Sequence, residues 1–301
     1  MSTVSPPALL DASTLAARSE LRDLGVPDPA LLVLAGTGRP MWSGDVPHEA
    51  AGFKRHGSIE LQAVRALPGA WSEGELVFGS VETPAGPATA WVLEDVGLEL
   101  APGHDRPAFE AALPVWIAAA AGATVLLHTA AGGALAGAEL EPGDLCVVED
   151  YLNLSGSTPL LGVGESKLGP LFPDLSRLFA PGLLRAATQH AGQLGITANT
   201  GIAAASAPVA LATPAERSWF RAAGADVWAQ GLQAPYLAAA HAGLDVLALL
   251  AVIDTDTDLD PSVDVQRLIT RSESTAAALD DLLAHVLPAA AEHALSAQES
   301  A

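Results

Sequence analysis

Residues 124–133 read TVLLHTAAGG, a short apolar run that passes into small residues. Apolar residues that run on without alternation are typical of a strand covered on both faces. The small residues after His128 leave room for a ligand at the carboxyl end of such a strand, where α/β sheets bind their ligands. The same residues also suit a tight turn without a ligand, so the stretch predicts an α/β fold and one candidate site with that alternative.

A second apolar run, Leu31–Ala35, leads directly into Gly36-Thr37-Gly38. Glycines let the backbone turn sharply and offer amides and a hydroxyl to an anion. The third glycine of a dinucleotide-binding fingerprint is missing, and so is the Gly-Lys-Ser/Thr of a P-loop. The pattern therefore leaves two interpretations, an anion-binding turn and an ordinary turn at the end of a strand.

A third run, Val246–Ile253, ends in an acidic stretch that begins at Asp254. Aspartates two apart open a calcium-binding EF-hand loop, but Leu259 stands where that loop needs glycine and Val265 where it needs glutamate. A solvated acidic loop remains possible for the rest of the stretch. Asp254 itself follows a core strand and is therefore a candidate ligand-binding residue.

The rest of the chain alternates predicted strands and helices, which favours an α/β fold with a mixed or mostly parallel sheet. Helical patterns begin at a serine or a proline, residues favoured at helix starts. The further strands are predicted at Glu75–Val81, Ala88–Glu94 and Asp144–Val148, and the helices at Ser13–Leu24, Pro181–Leu194, Pro214–Ala223, Pro235–Ala242 and an apolar stripe from Leu279 to Leu287.

Composition excludes several classes of function. With 14 Lys+Arg against 35 Asp+Glu, the net charge is -21, which argues against binding to nucleic acid or to an anionic membrane. The single cysteine, Cys146, excludes a disulfide framework. No histidine pair has the spacing of a zinc site, and no Gly-x-Ser-x-Gly elbow is present. We therefore expect no bound metal. No signal peptide is visible, so we expect a cytoplasmic protein.

Taken together, the three strand-end motifs resemble the trimeric purine nucleoside phosphorylase and methylthioadenosine phosphorylase family. The resemblance extends from Leu31 to Val286, and the order and spacing of the motifs make it specific. The stretches that carry it are Gly36-Thr37-Gly38, Pro68-Gly69 with Leu76–Gly79, His128–Gly133 with Pro142-Gly143-Asp144, Tyr151–Leu154, Thr213–Asp226 and His241–Leu244.

The resemblance implies a single α/β domain over residues 1–293, with a mixed central sheet that forms a distorted barrel flanked by helices. Residues 294–301 are expected to form a flexible tail. It also implies a homotrimer that transfers the pentosyl group of a purine nucleoside to phosphate, the co-substrate, without a cofactor.

Site residues follow from the same resemblance. Thr37, Thr129 and the Ala130 amide correspond to phosphate ligands. Gln230-Gly231 stand where the family has a Met-Ser/Thr pair that touches sugar and phosphate, so Gln230 and Gly231 are candidate substrate contacts. Asp254 corresponds to the base-recognition residue and is the one candidate general acid. An aspartate there resembles the branch that takes 6-amino purines, and Val265 suits an apolar group on the 5′ carbon of the sugar.

Several positions depart from the family pattern. Glu99 and Ala101 stand where the family has a phosphate-binding arginine and a histidine, and Ala212 replaces an acid or serine on the base side. A carboxylate repels phosphate, so two alternatives remain open. One is a weak or inactive homologue that binds a nucleoside or base. The other is a phosphate-independent nucleoside hydrolase in which Glu99 or Asp95 activates water.

Overall fold

The computed structural model describes residues 9–36, 52–68, 71, 74–94, 107–206, 211–256 and 265–300. The strands in these ranges are β1 (Leu31–Ala35), β2 (Phe53–Glu60), β3 (Glu75–Thr83), β4 (Gly86–Glu94), β5 (Val125–Ala134), β6 (Leu145–Asn153), β7 (Ala198–Ser206), β8 (Val227–Gln230) and β9 (Asp245–Thr255). The helices are α1 (Leu9–Asp23), α2 (Leu113–Ala121), α3 (Pro181–Leu194), α4 (Pro214–Ala222), α5 (Gln233–Ala242) and α6 (Val265–Ser300). None of these described helices is long and apolar enough to cross a membrane.

The nine described strands form one sheet in the order β2-β3-β4-β1-β5-β8-β7-β6-β9. An additional pairing between β5 and β9 closes the last five strands into a ring. Neighbours in the ring are partly parallel, as in β5–β9, and partly antiparallel, as in β5–β8 and β6–β9. The predicted α/β fold with a mixed central sheet and a distorted barrel is therefore confirmed.

Both faces of the central strands are buried, which explains their uninterrupted apolar sequences. Leu126 and Leu250 belong to a core that also includes residues of α1, α2 and α5. Their neighbours Leu127 and Leu249 point to the opposite face and pack with residues of α3 and α6. Helices therefore cover the sheet on both sides, as the sequence predicted.

Three strands were not predicted from the sequence: β2, β7 and β8. Strand β7 reads ANTGIAAAS, and alanine and asparagine are depleted in strands, so local preference does not indicate its structure. Strand β8 has only four residues. Strand β2 carries mostly exposed or half-buried polar residues at the edge of the sheet. Pairing with neighbouring strands, rather than propensity, stabilises these segments.

Helix α6 continues past Pro288 to Ser300, although the sequence predicted a frayed tail from residue 294. Ala294 is fully buried, and its carbonyl accepts a hydrogen bond from Thr124 Oγ1 at 3.0 Å. Gln298 Nε2 donates to the Gly122 carbonyl at 2.7 Å. These contacts with the loop before β5 explain why residues 294–300 are helical.

Candidate functional site

Strands β1 and β5 bring two of the sequence motifs to the same edge of the sheet. They are parallel, with Ala35 opposite Thr129, and the Gly36 amide donates to the Thr129 carbonyl at 3.0 Å. Thr129 is fully buried and Ala130 is also buried. Thr37, the other phosphate ligand that the resemblance implies, lies outside the described residues, as do Glu99 and Ala101. The strand that leads to Thr37 therefore ends beside Thr129.

The TVLLHTAAGG stretch is strand throughout, since β5 continues to Ala134. The prediction that the strand ends at His128 was wrong, and so was the alternative of a tight turn. A Cβ on Gly132 would collide with the Trp228 carbonyl oxygen, and one on Gly133 would lie 2.9 Å from Trp228 Cε2. The glycines are therefore needed because β8 approaches β5 closely.

Asp254 lies near the end of β9, opposite Gly133, just after a register shift between the two strands. Its Oδ2 atom is 2.7 Å from Arg217 Nη2 on α4, and its Oδ1 atom is 4.0 Å from Arg271 Nη1 on α6. Only 12% of the Asp254 side chain and 11% of the Arg217 side chain are exposed. A carboxylate that pairs with an arginine acts as a hydrogen-bond acceptor, a role that suits base recognition.

Arg217 is itself fixed from three sides. Its Nε atom donates to the Ala212 carbonyl at 3.0 Å, and its guanidinium carbon lies 4.9 Å from the centre of the Trp228 ring. The third contact is the ion pair with Asp254. Ala212 has no polar side chain, but its backbone carbonyl helps to hold Arg217, which in turn holds Asp254.

Helix α4 begins where it does because of a capping box. Thr213 Oγ1 accepts from the Glu216 amide at 3.3 Å, and the Glu216 carboxylate accepts from the Thr213 amide at 2.7 Å. These contacts satisfy amides that have no partner within the helix. The cap fixes the first turn and so places Arg217 directly above Trp228.

Gln230 ends β8 and lies one residue beyond Ala229, which pairs with Gly132. Because β5 and β8 are antiparallel, Gln230 reaches the level of β5 between Thr129 and Gly133. Gly231 follows with a φ of 74°, a conformation that favours glycine. Val265 begins α6, and its side chain lies outside the described residues.

An aromatic cluster lies below the site. His128 Nδ1 is 3.3 Å from the hydroxyl of Tyr236, whose ring meets those of Tyr151 and Phe179 edge-on at 5.3 and 5.4 Å. Burial lowers the pKa of His128 from 6.5 to about 4, so the imidazole is neutral at pH 7. Burial, followed by the charge of Asp150, raises the pKa of Tyr151 to about 12. The cluster is a packed, uncharged support for β5.

Sequence reasoning missed Arg217, Arg271 and Trp228. One signal was present: two arginines four apart on a predicted helix, at 217 and 221, and two aspartates two apart after a strand, at 254 and 256. Four helical residues rise about 6 Å and two strand residues about 6.6 Å, so the two pairs match in spacing. The second pair, Arg221 with Asp256, indeed forms at 3.5 Å.

In the part of the chain that the structure describes, no three His, Cys, Asp or Glu side chains come together as a possible metal site. The arrangement is instead suited to an organic ligand with an anionic end. It offers a threonine and backbone groups in the middle of β5 and a paired carboxylate near the end of the neighbouring β9.

Comparison with known proteins identifies the family. The model of the phosphorylase superfamily matches residues 104–288. Purine nucleoside phosphorylase 1 of Geobacillus stearothermophilus is 32% identical over 181 residues, which cover 60% of this chain and 62% of that protein. Purine nucleoside phosphorylase 1 of Bacillus subtilis (strain 168) is 30% identical over 183 residues, 59% of this chain and 67% of that protein. The chain thus spans about two thirds of the length of these relatives.

Solved structures share the fold. A Schistosoma purine nucleoside phosphorylase in complex with hypoxanthine has a TM-score of 0.77 at 21% identity, covering 92% of this chain and 96% of that one. The Schistosoma mansoni enzyme in complex with adenosine has a TM-score of 0.75 at the same identity and coverage. With a family match over more than half of its length and this common fold, the chain belongs to the phosphorylase superfamily.

Proposed function

We propose that this protein is a pentosyltransferase that cleaves the N-glycosidic bond of a purine nucleoside with phosphate. The relatives that it matches over about two thirds of their length are purine nucleoside phosphorylases. The observation that carries the proposal is the order of three positions along β5. Thr129 comes first, the position beside Gln230 comes next, and Gly133, which lies opposite Asp254, comes last. Phosphate, sugar and base follow one another in the same order in the reacting complex.

The distances suit this assignment. Gly133 is four positions after Thr129 along the strand, a distance of about 13 Å. A phosphate near Thr129 and a base near Asp254 leave the sugar between them, at the level of Gln230. Thr37, Thr129 and the Ala130 amide are the proposed phosphate ligands, and Gln230 with Gly231 the proposed sugar contacts.

The chemistry asks for little more than positioning and charge stabilisation. As the C–N bond breaks, positive charge grows on the sugar and negative charge on the purine, and the bound phosphate stabilises the first. Attack by phosphate on the anomeric carbon forms the pentose 1-phosphate, and the base leaves with the electrons of the broken bond. We propose no cofactor, because the reaction transfers a group to phosphate without oxidation or reduction.

We propose further that the site prefers 6-amino or 5′-modified purine nucleosides. A carboxylate is an acceptor only, so Asp254 suits the exocyclic amine of a 6-amino purine. An apolar residue at position 265 suits a methylthio group on the 5′ carbon. A homotrimer is part of the same proposal, and the mass of the native particle by light scattering tests it.

The first experiment measures release of the base from adenosine, inosine and 5′-methylthioadenosine, with and without phosphate. We expect release only with phosphate, and faster from the two 6-amino substrates. Release without phosphate would replace the proposal with a nucleoside hydrolase. Absence of release under both conditions would leave a protein that binds nucleosides without cleaving them.

Two valine variants test the phosphate site. Thr129→Val keeps the size of the side chain and removes its hydroxyl, so we expect the KM for phosphate to rise about tenfold or more. Thr124→Val is the matched control, because Thr124 precedes the same strand and its hydroxyl donates to the Ala294 carbonyl, away from the proposed phosphate site. An equal change in both variants would argue against Thr129 as a phosphate ligand.

Thermal unfolding with and without about 10 mM phosphate gives an answer that does not depend on turnover. A ligand present at 100 times its dissociation constant stabilises the folded state by about 2.7 kcal/mol. We expect a clear rise in Tm for the wild type and a smaller one for Thr129→Val.

A further inference from the structure

The contacts of Arg217 are those of a side chain that holds another side chain, Asp254, in place. Its guanidinium joins the Ala212 carbonyl, the face of Trp228 and the Asp254 carboxylate. All three partners are buried. Arginine is suited to this because its planar fork can bond a carboxylate and stack on an aromatic ring at once.

We propose that Arg217 is a positioning residue that sets the base preference of this site. By holding Asp254 as an oriented, charged acceptor, it selects purines that carry an amine at position 6 over purines that carry a carbonyl oxygen there. The inference rests on the proposed function, because it takes Asp254 as the residue that reads the base.

The selectivity follows from hydrogen-bonding capacity. A charged carboxylate accepts hydrogen bonds and donates none. The 6-amino group donates to it, whereas a 6-oxo group is a second acceptor, and its oxygen finds no donor on the carboxylate. Unpaired polar groups of this kind make such sites discriminate strongly between analogues.

Removing Arg217 changes the state of Asp254 because the remaining cation is distant. Arg271 approaches only to 4.0 Å and its side chain is more exposed, at 26%. A carboxylate with this partner alone is free to rotate, so its oxygens no longer keep one fixed direction towards the base.

The neighbouring pair on the same helix supplies a matched control. Arg221 lies one turn after Arg217 and pairs with Asp256 at 3.5 Å, but 46% of its side chain is exposed. Its loss removes one arginine from α4 and one ion pair to the end of β9, as the loss of Arg217 does. It does not remove a contact with Asp254.

The experiment compares the wild type with Arg217→Gln, Arg217→Lys and Arg221→Gln. For each, kcat/KM is measured for adenosine and inosine at saturating phosphate. In Arg217→Gln we expect the adenosine-to-inosine ratio to fall about tenfold or more, mainly through the KM for adenosine. Arg217→Lys keeps the charge but loses the fork, so it should recover part of the ratio. Arg221→Gln should leave the ratio unchanged.

Three results would overturn the inference. They are an unchanged ratio in Arg217→Gln, an equal loss for both substrates in that variant, and a wild type that prefers inosine. In all three the proposed phosphorolysis would stand, because both nucleosides are still cleaved with phosphate.

Direct binding separates this inference from the proposed function. If the wild type cleaves neither nucleoside with phosphate, the proposed function fails, and binding of adenine and hypoxanthine is then measured by calorimetry for the same four proteins. Tighter binding of adenine that is lost in Arg217→Gln and kept in Arg221→Gln supports the inference. Equal binding of the two bases by the wild type, or no binding, refutes it.

Discussion

His128 should make the stability of this protein sensitive to mild acid. The residue is 3% exposed, and its Nδ1 atom lies 3.3 Å from the uncharged hydroxyl of Tyr236. Desolvation lowers its pKa from 6.5 to about 4. The unfolded chain therefore binds a proton to this residue at a higher pH than the folded protein does, and acid favours unfolding.

The size of the effect follows from the two pKa values. Stability from the neutral imidazole is complete above about pH 6.5 and is lost as the pH falls towards 4. Because one pH unit between the two values corresponds to about 1.4 kcal/mol, the loss reaches about 2 kcal/mol at pH 5 and about 3 kcal/mol at pH 4. That is a large share of the 5–15 kcal/mol typical of a folded domain (an order-of-magnitude range).

Urea unfolding at pH 7, 6, 5 and 4 measures this loss, with His128→Asn as the test variant. Asparagine keeps a polar atom near the Nδ1 position but has no group that titrates. The variant therefore loses the packing of the imidazole ring at every pH, and position 128 adds no loss of stability in acid. We expect the gap in unfolding free energy between the wild type and the variant to shrink by about 3 kcal/mol from pH 7 to pH 4. His285→Asn is the control for replacing an exposed histidine. A gap for His128→Asn that does not change with pH would refute the reasoning.

Two further predictions concern other parts of the fold. The hydrogen bond that His293 Nε2 donates to Asp245, at 2.6 Å, raises the pKa of His293. The stabilisation from this bond is therefore present below about pH 6.5 and is lost as the pH rises through the raised value. His293→Gln should lower the free energy of unfolding, measured with urea, by roughly 0.2–1 kcal/mol at pH 5 because the pair is partly exposed, and barely at pH 8. Gly133→Ala should destabilise the protein by about 1–3 kcal/mol, because its Cβ would press on the Trp228 ring. The control is Gly192→Ala, which should not lower the Tm because a Cβ there meets nothing within 4 Å. A similar loss of stability in both variants would contradict the packing explanation.

Much of the fold could be predicted because the central strands are apolar on both faces. Runs such as Leu31–Ala35 and Val246–Ile253 are continuous and apolar, and this pattern alone predicts a buried strand. Strand β7 does not, because its alanines and polar residues become a strand only when β6 and β8 pair with them. The extension of α6 past Pro288 likewise depends on tertiary contacts, since its last buried alanines pack on the sheet.

The candidate site divides in the same way. That Gly36 and Thr129 meet could be expected, since the carboxyl ends of parallel neighbouring strands share an edge. The environment of Asp254 could not be, because Arg217 and Arg271 come from helices whose placement over β9 is a tertiary feature. Family resemblance pointed to Asp254 as a base-recognition residue but gave no account of what surrounds it.

Strand β5 exchanges one neighbour for another along its length. Val125–Thr129 pair with β1, and Gly132–Ala134 pair with β8 on the way round the ring. The ring is closed by β5–β9 pairing and does not include β1. The four outer strands thus join the ring through the pairing of β1 with Val125–Thr129, and Ala130 and Ala131 lie between that pairing and the one with β8. A change in the outer strands can therefore shift Thr129 through its pairing with β1, while the ring keeps its own closed set of hydrogen bonds.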